Sequence, residues 1–199
     1  EDSTTHTKTF KDLLTTPATI KALLITLTLL ALQQLSGATV MLVYTQQLFE
    51  LTNTGISASK SAMIYGIVYS IGAAIGPVFA KQCGFRKPLI CSGITLFLSE
   101  FSLGIYLFLL SIGADLINLT WSPIVFVLLY AATFNFALGS MPWAIMGELL
   151  PPSIKTQGAA VCTSGCFLFA FLTTKSFPLL CQILHTHVVF WIFATASVF

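Results

Sequence analysis

The chain has 199 residues, of which 56% are hydrophobic and only 8% are charged. A soluble domain carries about 25% charged residues, so this composition excludes an ordinary water-facing surface. The formal net charge of +2 is too small to indicate a nucleic-acid-binding protein. The five cysteines show no CxxC or Cys/His ligand spacing, which argues against a disulfide scaffold and a zinc site. The sequence therefore predicts a membrane protein without a metal or other cofactor.

The length gives room for about six membrane-spanning helices, at roughly 33 residues for each span and its connector. Residues 1–21 form a polar lead, which we interpret as a cytoplasmic linker. The last hydrophobic segment is too short to cross a bilayer, so we expect an incomplete final helix and a chain that is cut at both ends. The predicted segments are 22–49, 61–80, 88–111, 122–147, 157–181 and 188–199.

The basic residues predict the orientation of these segments, because cytoplasmic loops carry an excess of lysine and arginine. If the polar lead is cytoplasmic, seven basic residues lie inside, Lys60 lies outside and Lys175 falls within a span. The sequon Asn118-Leu119-Thr120 then lies in an outer loop. Asn118 is therefore a candidate glycosylation site.

Two of the spans contain matching interruptions. Transporters are often built from repeated helix triplets, and their ligands bind where corresponding helices are broken near mid-membrane. The first helix of the first triplet contains QQLSG at 33–37, and the first helix of the second contains GSMPW at 139–143. This coincidence predicts a binding site between the two interruptions.

In the first span Gln33, Gly37, Val40 and Tyr44 are spaced to share one helix face. A glutamine amide offers two donors and an acceptor, which suits the paired hydroxyls of a sugar. Gly37 leaves room for close approach of a ligand or of backbone. We therefore expect this face to line the cavity.

In the fourth span Asn135, Gly139, Pro142 and Met146 are spaced to share a face, with Trp143 at its edge. An indole can stack on the apolar face of a sugar while its N–H donates a hydrogen bond. The alternative is that these polar and small residues only join helices, as they often do in lipid. The matching interruptions favour ligand contact.

The second and third spans hold further candidates. Tyr69 is expected to face the same cavity, whereas Gly72 and Gly76 are typical of a close-packing helix face. Glu100 lies near the middle of the third span, where an ionised group is costly. The sequence offers it no identifiable cation, so we interpret Glu100 as a neutral structural residue.

Glu148 ends the fourth span on the cytoplasmic side. It could pair with the basic loop 81–87 and keep the inner side of a cavity closed. The alternative is a solvated helix end.

These motifs together resemble the carboxyl-terminal half of the sugar porter family, within the major facilitator superfamily. The resemblance rests on QQLSG, on Pro142-Trp143 and on Glu148-x-x-Pro151-x-x-x-Lys155. GELLP, TTKSF at 173–177 and Phe190-Trp191 are most similar to the insect trehalose transporters of that family. The resemblance covers nearly the whole chain. It implies an all-α membrane protein, the C-terminal six-helix bundle of a major facilitator fold, without the N-terminal six-helix half.

The resemblance also implies roles for single residues in the cavity. Gln33 and Gln34 match the paired sugar-binding glutamines of the family, and Trp143 matches its sugar-stacking tryptophan. Thr39 stands where the family has a binding asparagine. Tyr69 replaces a second asparagine.

In the fourth and fifth spans the chain departs further from the family pattern. Asn135 replaces a glutamate, and Cys166-Phe167 replaces an asparagine-tryptophan pair. We expect Asn135 and Gly139 to border the sugar with the residues named above.

The resemblance also implies which residues open and close the two ends of the cavity. Tyr44 matches one of two tyrosines on the outer side. The inner-loop motif has lost its acid in this chain but keeps Arg86, and Lys155 replaces the usual cytoplasmic arginine. Arg86 with Glu148 is therefore the expected inner ion pair.

The predicted function is transmembrane transport of a sugar, trehalose or a hexose, by alternating access between two bundles. The expected partners are the sugar, the lipid bilayer and the N-terminal half, and the expected location is the plasma membrane. A membrane-embedded enzyme is disfavoured, because acids, histidines and serines do not converge at one depth. A sugar receptor that does not transport remains the alternative.

Overall fold

The computed structural model describes residues 16–52 and 57–198. Within these residues the secondary structure consists of helices joined by short turns, without strands, which confirms the predicted all-α class. A 3₁₀ turn over Ile117–Leu119 precedes the fifth α-helix, and a π-helical turn over Phe134–Leu138 follows it. The α-helices are α1 Pro17–Leu35, α2 Ala38–Thr52, α3 Ala58–Cys83, α4 Arg86–Ser111, α5 Ser122–Thr133, α6 Met141–Leu149, α7 Lys155–Leu184 and α8 Thr186–Val198.

Five helical stretches of the described residues are long and apolar enough to cross a membrane. The helix α8 is apolar but shorter. About 20 residues of helix span the hydrocarbon core of a bilayer. The chain is thus a multi-pass membrane protein, as its composition predicted. The five stretches are Pro17–Thr52, Ala58–Phe79, Arg86–Ser111, Ile117–Leu149 and Lys155–Leu184.

The helices extend beyond the predicted hydrophobic segments. The helix α1 begins at Pro17, inside the segment interpreted as a linker, and residues 1–15 of that linker lie outside the described residues. Proline suits the first helical position, because its missing N–H would have no intrahelical partner there. The helix α8 likewise begins at Thr186, two residues before the predicted segment.

The helices form one bundle around an apolar core. The helix α8 lies along α4, α1 packs against α7, and α5 packs against both α3 and α4. Side chains at the centre of the core are almost fully buried. They include Val40, Leu96, Leu103, Val127, Tyr130 and Phe190.

Most hydroxyl side chains inside the spans donate a hydrogen bond to a backbone carbonyl oxygen of their own helix. The Oγ1 atoms of Thr26 and Thr133 donate to carbonyl oxygens four residues earlier, at 2.9 and 2.7 Å. Ser70 and Thr95 do the same. Since lipid offers no hydrogen-bond partners, such local bonds keep the polar groups satisfied.

The helix α3 approaches the π-helical turn closely at two glycines. A Cβ atom built on Gly72 would lie 3.0 Å from the carbonyl oxygen of Ala132, and one built on Gly76 would lie 2.5 Å from that of Phe136. Real Cβ atoms essentially never make contacts shorter than 3.0 Å, and a contact of 3.0 Å is already tighter than nine in ten. The small residues of the second span therefore form a close-packing face, as expected from the sequence.

Candidate sugar-binding site

The first span is broken at Ser36-Gly37, midway along the 36-residue stretch Pro17–Thr52. Gly37 has φ +76°, a left-handed conformation that favours glycine. A Cβ there would also lie 2.8 Å from Cδ2 of Phe193. The Tyr130 hydroxyl donates a 3.0 Å hydrogen bond to the carbonyl oxygen of Ser36. The helices α5 and α8 therefore hold this break in place.

The fourth span is interrupted by the π-helical turn and by the following turn at Gly139-Ser140. The Gly139 N–H donates to the carbonyl oxygen of Phe134 at 2.6 Å, five residues back. A Cβ on Gly139 would collide with Oδ1 of Asn135 and lie 3.0 Å from its Cα, so any larger residue would displace the Asn135 side chain. Pro142 stands in the first turn of the new helix α6, where proline is well tolerated.

The wider π-helical turn changes which residues share a face. Continuous α-helical spacing predicts that Asn135 and Trp143 lie on or beside one face. In the structure Asn135 is turned towards α3, whereas Trp143 packs towards a cluster that includes α7. The predicted common face is therefore wrong, because a π-helical turn inserts a residue into the α-helical repeat.

Gln33 joins the two interruptions. Its Nε2 donates a 2.9 Å hydrogen bond to the carbonyl oxygen of Gly139. The side chain is only 4% exposed, and its Oε1 is buried with no hydrogen-bond partner among the described residues. A buried, unpaired carbonyl oxygen is costly unless a donor reaches it. Gln33 thus offers an unused acceptor near the middle of the stretch Pro17–Thr52.

Gln34 connects both sides of the first break to α7. Its Nε2 lies 3.2 Å from Sγ of Cys166, and its Oε1 accepts a 2.7 Å hydrogen bond from the Thr39 hydroxyl. Trp143 packs against the small cluster that Cys166 forms with Leu30 and Cys162. The paired glutamines, Thr39, Gly139 and Trp143 are therefore brought together.

Asn135 and Tyr69 lie on the other side of Gly139. The Asn135 Nδ2 donates a 2.8 Å hydrogen bond to the Tyr69 carbonyl oxygen. The half-buried Tyr69 ring stacks with the rings of Tyr65 and Phe134, at centroid distances of 5.8 and 6.3 Å. These two residues border the glutamine cluster at Gly139 but belong to the contact between α3 and the π-helical turn. Their part in binding stays a prediction.

Tyr44, which is predicted to gate the outer side, packs against α7. Its hydroxyl lies 3.5 Å from the carbonyl oxygen of Thr174, and its ring centroid is 4.9 Å from that of Phe177. A cavity of about 160 Å³ lies beside Tyr44 and is lined by Phe177 and Cys181. Sequence reasoning missed these α7 residues, although TTKSF was among the motifs carrying the resemblance.

The three residues that are predicted to gate the inner side are all exposed. Arg86 begins α4, Glu148 lies in the last turn of α6, and Lys155 begins α7. Within residues 16–52 and 57–198 the structure pairs none of the three with an opposite charge. The Lys155 Nζ lies beside Gly147, 4.0 Å from a Cβ built there, and so near the negative end of α6. The Arg86–Glu148 ion pair stays a prediction.

Replacing Glu148 by glutamine is expected to favour the inward-open state, because it removes the acid from any inner ion pair. A cysteine introduced at Met146 should then react about two- to five-fold faster with a cytoplasmic thiol reagent, the range that an exposed pair supports. Glu50→Gln, at an exposed acid in α2, is the matched control and should change nothing. Equal rates for the Glu148 and Glu50 variants would exclude an inner latch.

Asn118 is exposed in the short 3₁₀ turn between α4 and α5. Its carbonyl oxygen accepts a 3.1 Å hydrogen bond from the Trp121 indole. The side chain is accessible to modification, and its glycosylation stays a prediction.

Two interrupted apolar helices that are joined by a buried glutamine are typical of membrane carriers. The sequence profile of the family "Sugar (and other) transporter" matches residues 1–199. The chain belongs to this family, which confirms the resemblance drawn from its motifs.

Known relatives agree with this assignment. The facilitated trehalose transporter Tret1 of Aedes aegypti is 30% identical over 181 residues, covering 91% of this chain and 22% of that protein. Tret1 of Drosophila erecta is 33% identical over 174 residues, covering 87% of this chain and 20% of that protein. The chain thus spans about a fifth of the length of these two relatives.

The fold also matches a solved transporter. The proton:xylose symporter XylE, of the major facilitator superfamily, superposes with a TM-score of 0.74 at 22% identity. The match covers 88% of this chain and 37% of XylE. It confirms the predicted major facilitator fold.

Proposed function

We propose that this chain is the C-terminal half of a facilitated sugar transporter that works by alternating access, with trehalose as the first candidate substrate and hexoses as the second. The observation that carries the proposal is the buried, unpaired Oε1 of Gln33 at the junction of the two helix breaks. A sugar hydroxyl is a donor of the right kind for this acceptor.

The chemistry of the cluster suits a neutral polyhydroxyl ligand. Gln33, Gln34, Thr39 and Trp143 are all uncharged, and their amide, hydroxyl and indole groups provide both donors and acceptors. The apolar face of a pyranose ring can stack on the half-buried indole of Trp143. A charged ligand would require a countercharge in this low-dielectric surrounding.

The two breaks also support a conformational change. In the present conformation the Gln33 amide is bound to Gly139 of the fourth span. A ligand that takes over this hydrogen bond would alter how the two interrupted helices are joined, and a difference in ligand affinity between two states shifts their populations.

The proposal extends to a second bundle that completes the pathway, and to the plasma membrane as its location. Apolar side chains of α7 such as Leu168 and Phe171 are 58% and 62% exposed. They lie on the same helix as Cys166, so a facing bundle would cover them beside the site. The names of the relatives, which are insect trehalose transporters, support trehalose as the substrate.

The direct test is uptake of radiolabelled trehalose, glucose and fructose into sealed vesicles that contain the full-length protein. Saturable trehalose flux without need of a proton gradient is expected. Flux only with a gradient would contradict the facilitated mechanism, and sugar binding without flux would indicate a receptor. Neither binding nor flux for any of the three sugars would overturn the proposal.

A further inference from the structure

Glu100 is a carboxyl group at the centre of the bundle that the proposed sugar site does not use. It lies midway along α4 and is 0% exposed. Its Oε2 lies 2.8 Å from the Ser197 hydroxyl oxygen of α8, and its Oε1 is buried without a partner among the described residues. An ionised carboxylate in this position would lack a countercharge, which is very costly in a low-dielectric interior.

The hydrogen count at Ser197 also favours a proton on Glu100. The Ser197 hydroxyl oxygen lies 2.8 Å from Glu100 Oε2 and 3.1 Å from the carbonyl oxygen of Phe193. A serine hydroxyl has one hydrogen, so it can donate to only one of these two oxygens. Both contacts are hydrogen bonds when Glu100 is protonated, donates to Ser197, and leaves Ser197 free to donate to Phe193.

The residues around Glu100 offer no positive charge that would change this balance. The neighbour on α4 is Ser99, α8 contributes Ser197, and the nearest titratable group of α5 is Tyr130. The Tyr130 hydroxyl already donates to the carbonyl oxygen of Ser36. Among the described residues, the structure places no lysine, arginine or histidine against the carboxyl group.

The contact between Glu100 and Ser197 lies between two points where α8 touches α4 at a glycine. A Cβ built on Gly93 would lie 2.8 Å from the Ser197 carbonyl oxygen, and one on Gly104 would lie 2.5 Å from Nε1 of Trp191 and 3.2 Å from the His187 carbonyl oxygen. The helices α4 and α8 therefore pack closely against each other on both sides of Glu100. A hydrogen bond between them fixes how far α8 can slide along α4.

The position of α8 matters to the sugar site through Phe193. The Phe193 ring lies on Gly37, the left-handed residue of the first helix break, and it also stacks with Phe177 at 6.2 Å. The same break carries Gln33 and Gln34 on its N-terminal side. A shift of α8 would therefore release the residue that covers the break.

We propose that Glu100 is a neutral carboxylic acid and a positioning residue: by donating to Ser197 it fixes α8 on α4, and so holds Phe193 on the break that carries Gln33 and Gln34. The first part of the proposal is independent of transport. The effect on ligand affinity rests on the proposed function.

The protonation state is tested by infrared spectroscopy of the full-length protein at neutral pH. The difference spectrum between the wild-type protein and Glu100→Gln should contain the absorption of a protonated carboxylic acid. A carboxylate absorption in its place would overturn the neutral state.

Positioning is tested by hydrogen exchange at the amides of Gly37 and Ala38, a readout that needs no sugar. Glu100→Gln keeps a donor for Ser197 and should exchange at the wild-type rate. Glu100→Met and Ser197→Ala lose the bond and should exchange about tenfold faster at the break, as in a local opening. Ser99→Ala removes a buried hydroxyl without a partner and is the matched control.

The affinity for trehalose should follow the same order. Glu100→Gln should bind trehalose as the wild-type protein does. Glu100→Met should bind it about three- to tenfold more weakly, which is the effect of one lost hydrogen bond. Exchange at wild-type rates in Glu100→Met and Ser197→Ala would overturn the positioning role. Fast exchange in these variants, with a wild-type protein that binds no trehalose, would instead count against the proposed function alone.

Discussion

Replacing Gly76 by alanine is expected to lower the free energy of unfolding by about 2–3 kcal/mol, the cost of overpacking a tight contact. The added Cβ would lie 2.5 Å from the Phe136 carbonyl oxygen and 2.9 Å from that of Asn135. Both atoms are backbone of the π-helical turn, so the helix α3 must move as a whole. The midpoint of thermal unfolding in detergent should fall by at least about 4 °C.

Gly66 provides the matched control on the same helix. A Cβ built there meets nothing within 4 Å, and alanine has the higher helix propensity. Gly66→Ala should therefore leave the unfolding midpoint unchanged or raise it. Equal unfolding midpoints for Gly76→Ala and Gly66→Ala would show that α3 is not in tight contact with the π-helical turn.

Replacing Gln33 by alanine is expected to weaken trehalose binding by about tenfold, which corresponds to about 1.4 kcal/mol. The substitution removes the unpaired Oε1 acceptor offered to the sugar and the Nε2 donor that reaches Gly139. Surface expression should be preserved, since the fold of each helix does not depend on this amide. The measurement is the concentration dependence of trehalose uptake, corrected for the amount of protein at the surface.

Gln46→Ala controls for the loss of a glutamine in the same span. Gln46 is exposed on α2 and bonds Glu50 of its own helix, so its removal should leave affinity unchanged. If Gln33→Ala and Gln46→Ala give the same affinity as the wild-type protein, Gln33 does not contact the sugar.

The helical class, the hydrophobic spans and both interruptions could be predicted from the sequence. These features depend on local causes. Hydrophobic runs of sufficient length span the bilayer, and Gly37 and Pro142 disfavour a continuous helix where they stand. The proximity of the two interruptions could be predicted because they hold corresponding positions in the helix triplets.

The parts that could not be predicted depend on tertiary packing. No local signal distinguishes the π-helical turn at 134–138 from an α-helix, so the sequence predicts Asn135 on a face that has Trp143 at its edge. The contact of Gln34 with Cys166 joins residues that are 132 positions apart. The same holds for the contact between Glu100 and Ser197, which are 97 positions apart.

The site is built almost without charge, which follows from its place in the bilayer. Amides, hydroxyls and an indole can offer hydrogen bonds at mid-membrane at a far lower desolvation cost than ionised groups. The charged candidates Arg86, Glu148 and Lys155 are exposed instead. This separation supports binding by neutral groups and gating by charged ones.

The central claim is that the sugar binds where the two helix breaks meet, and an experimental structure of the full-length protein with trehalose bound tests it most directly. We predict a sugar hydroxyl within hydrogen-bonding distance of Gln33 Oε1 and a pyranose face against the Trp143 indole. Trehalose bound only in the outer cavity beside Phe177 and Cys181, with Gln33 Oε1 still unpaired, would contradict the account.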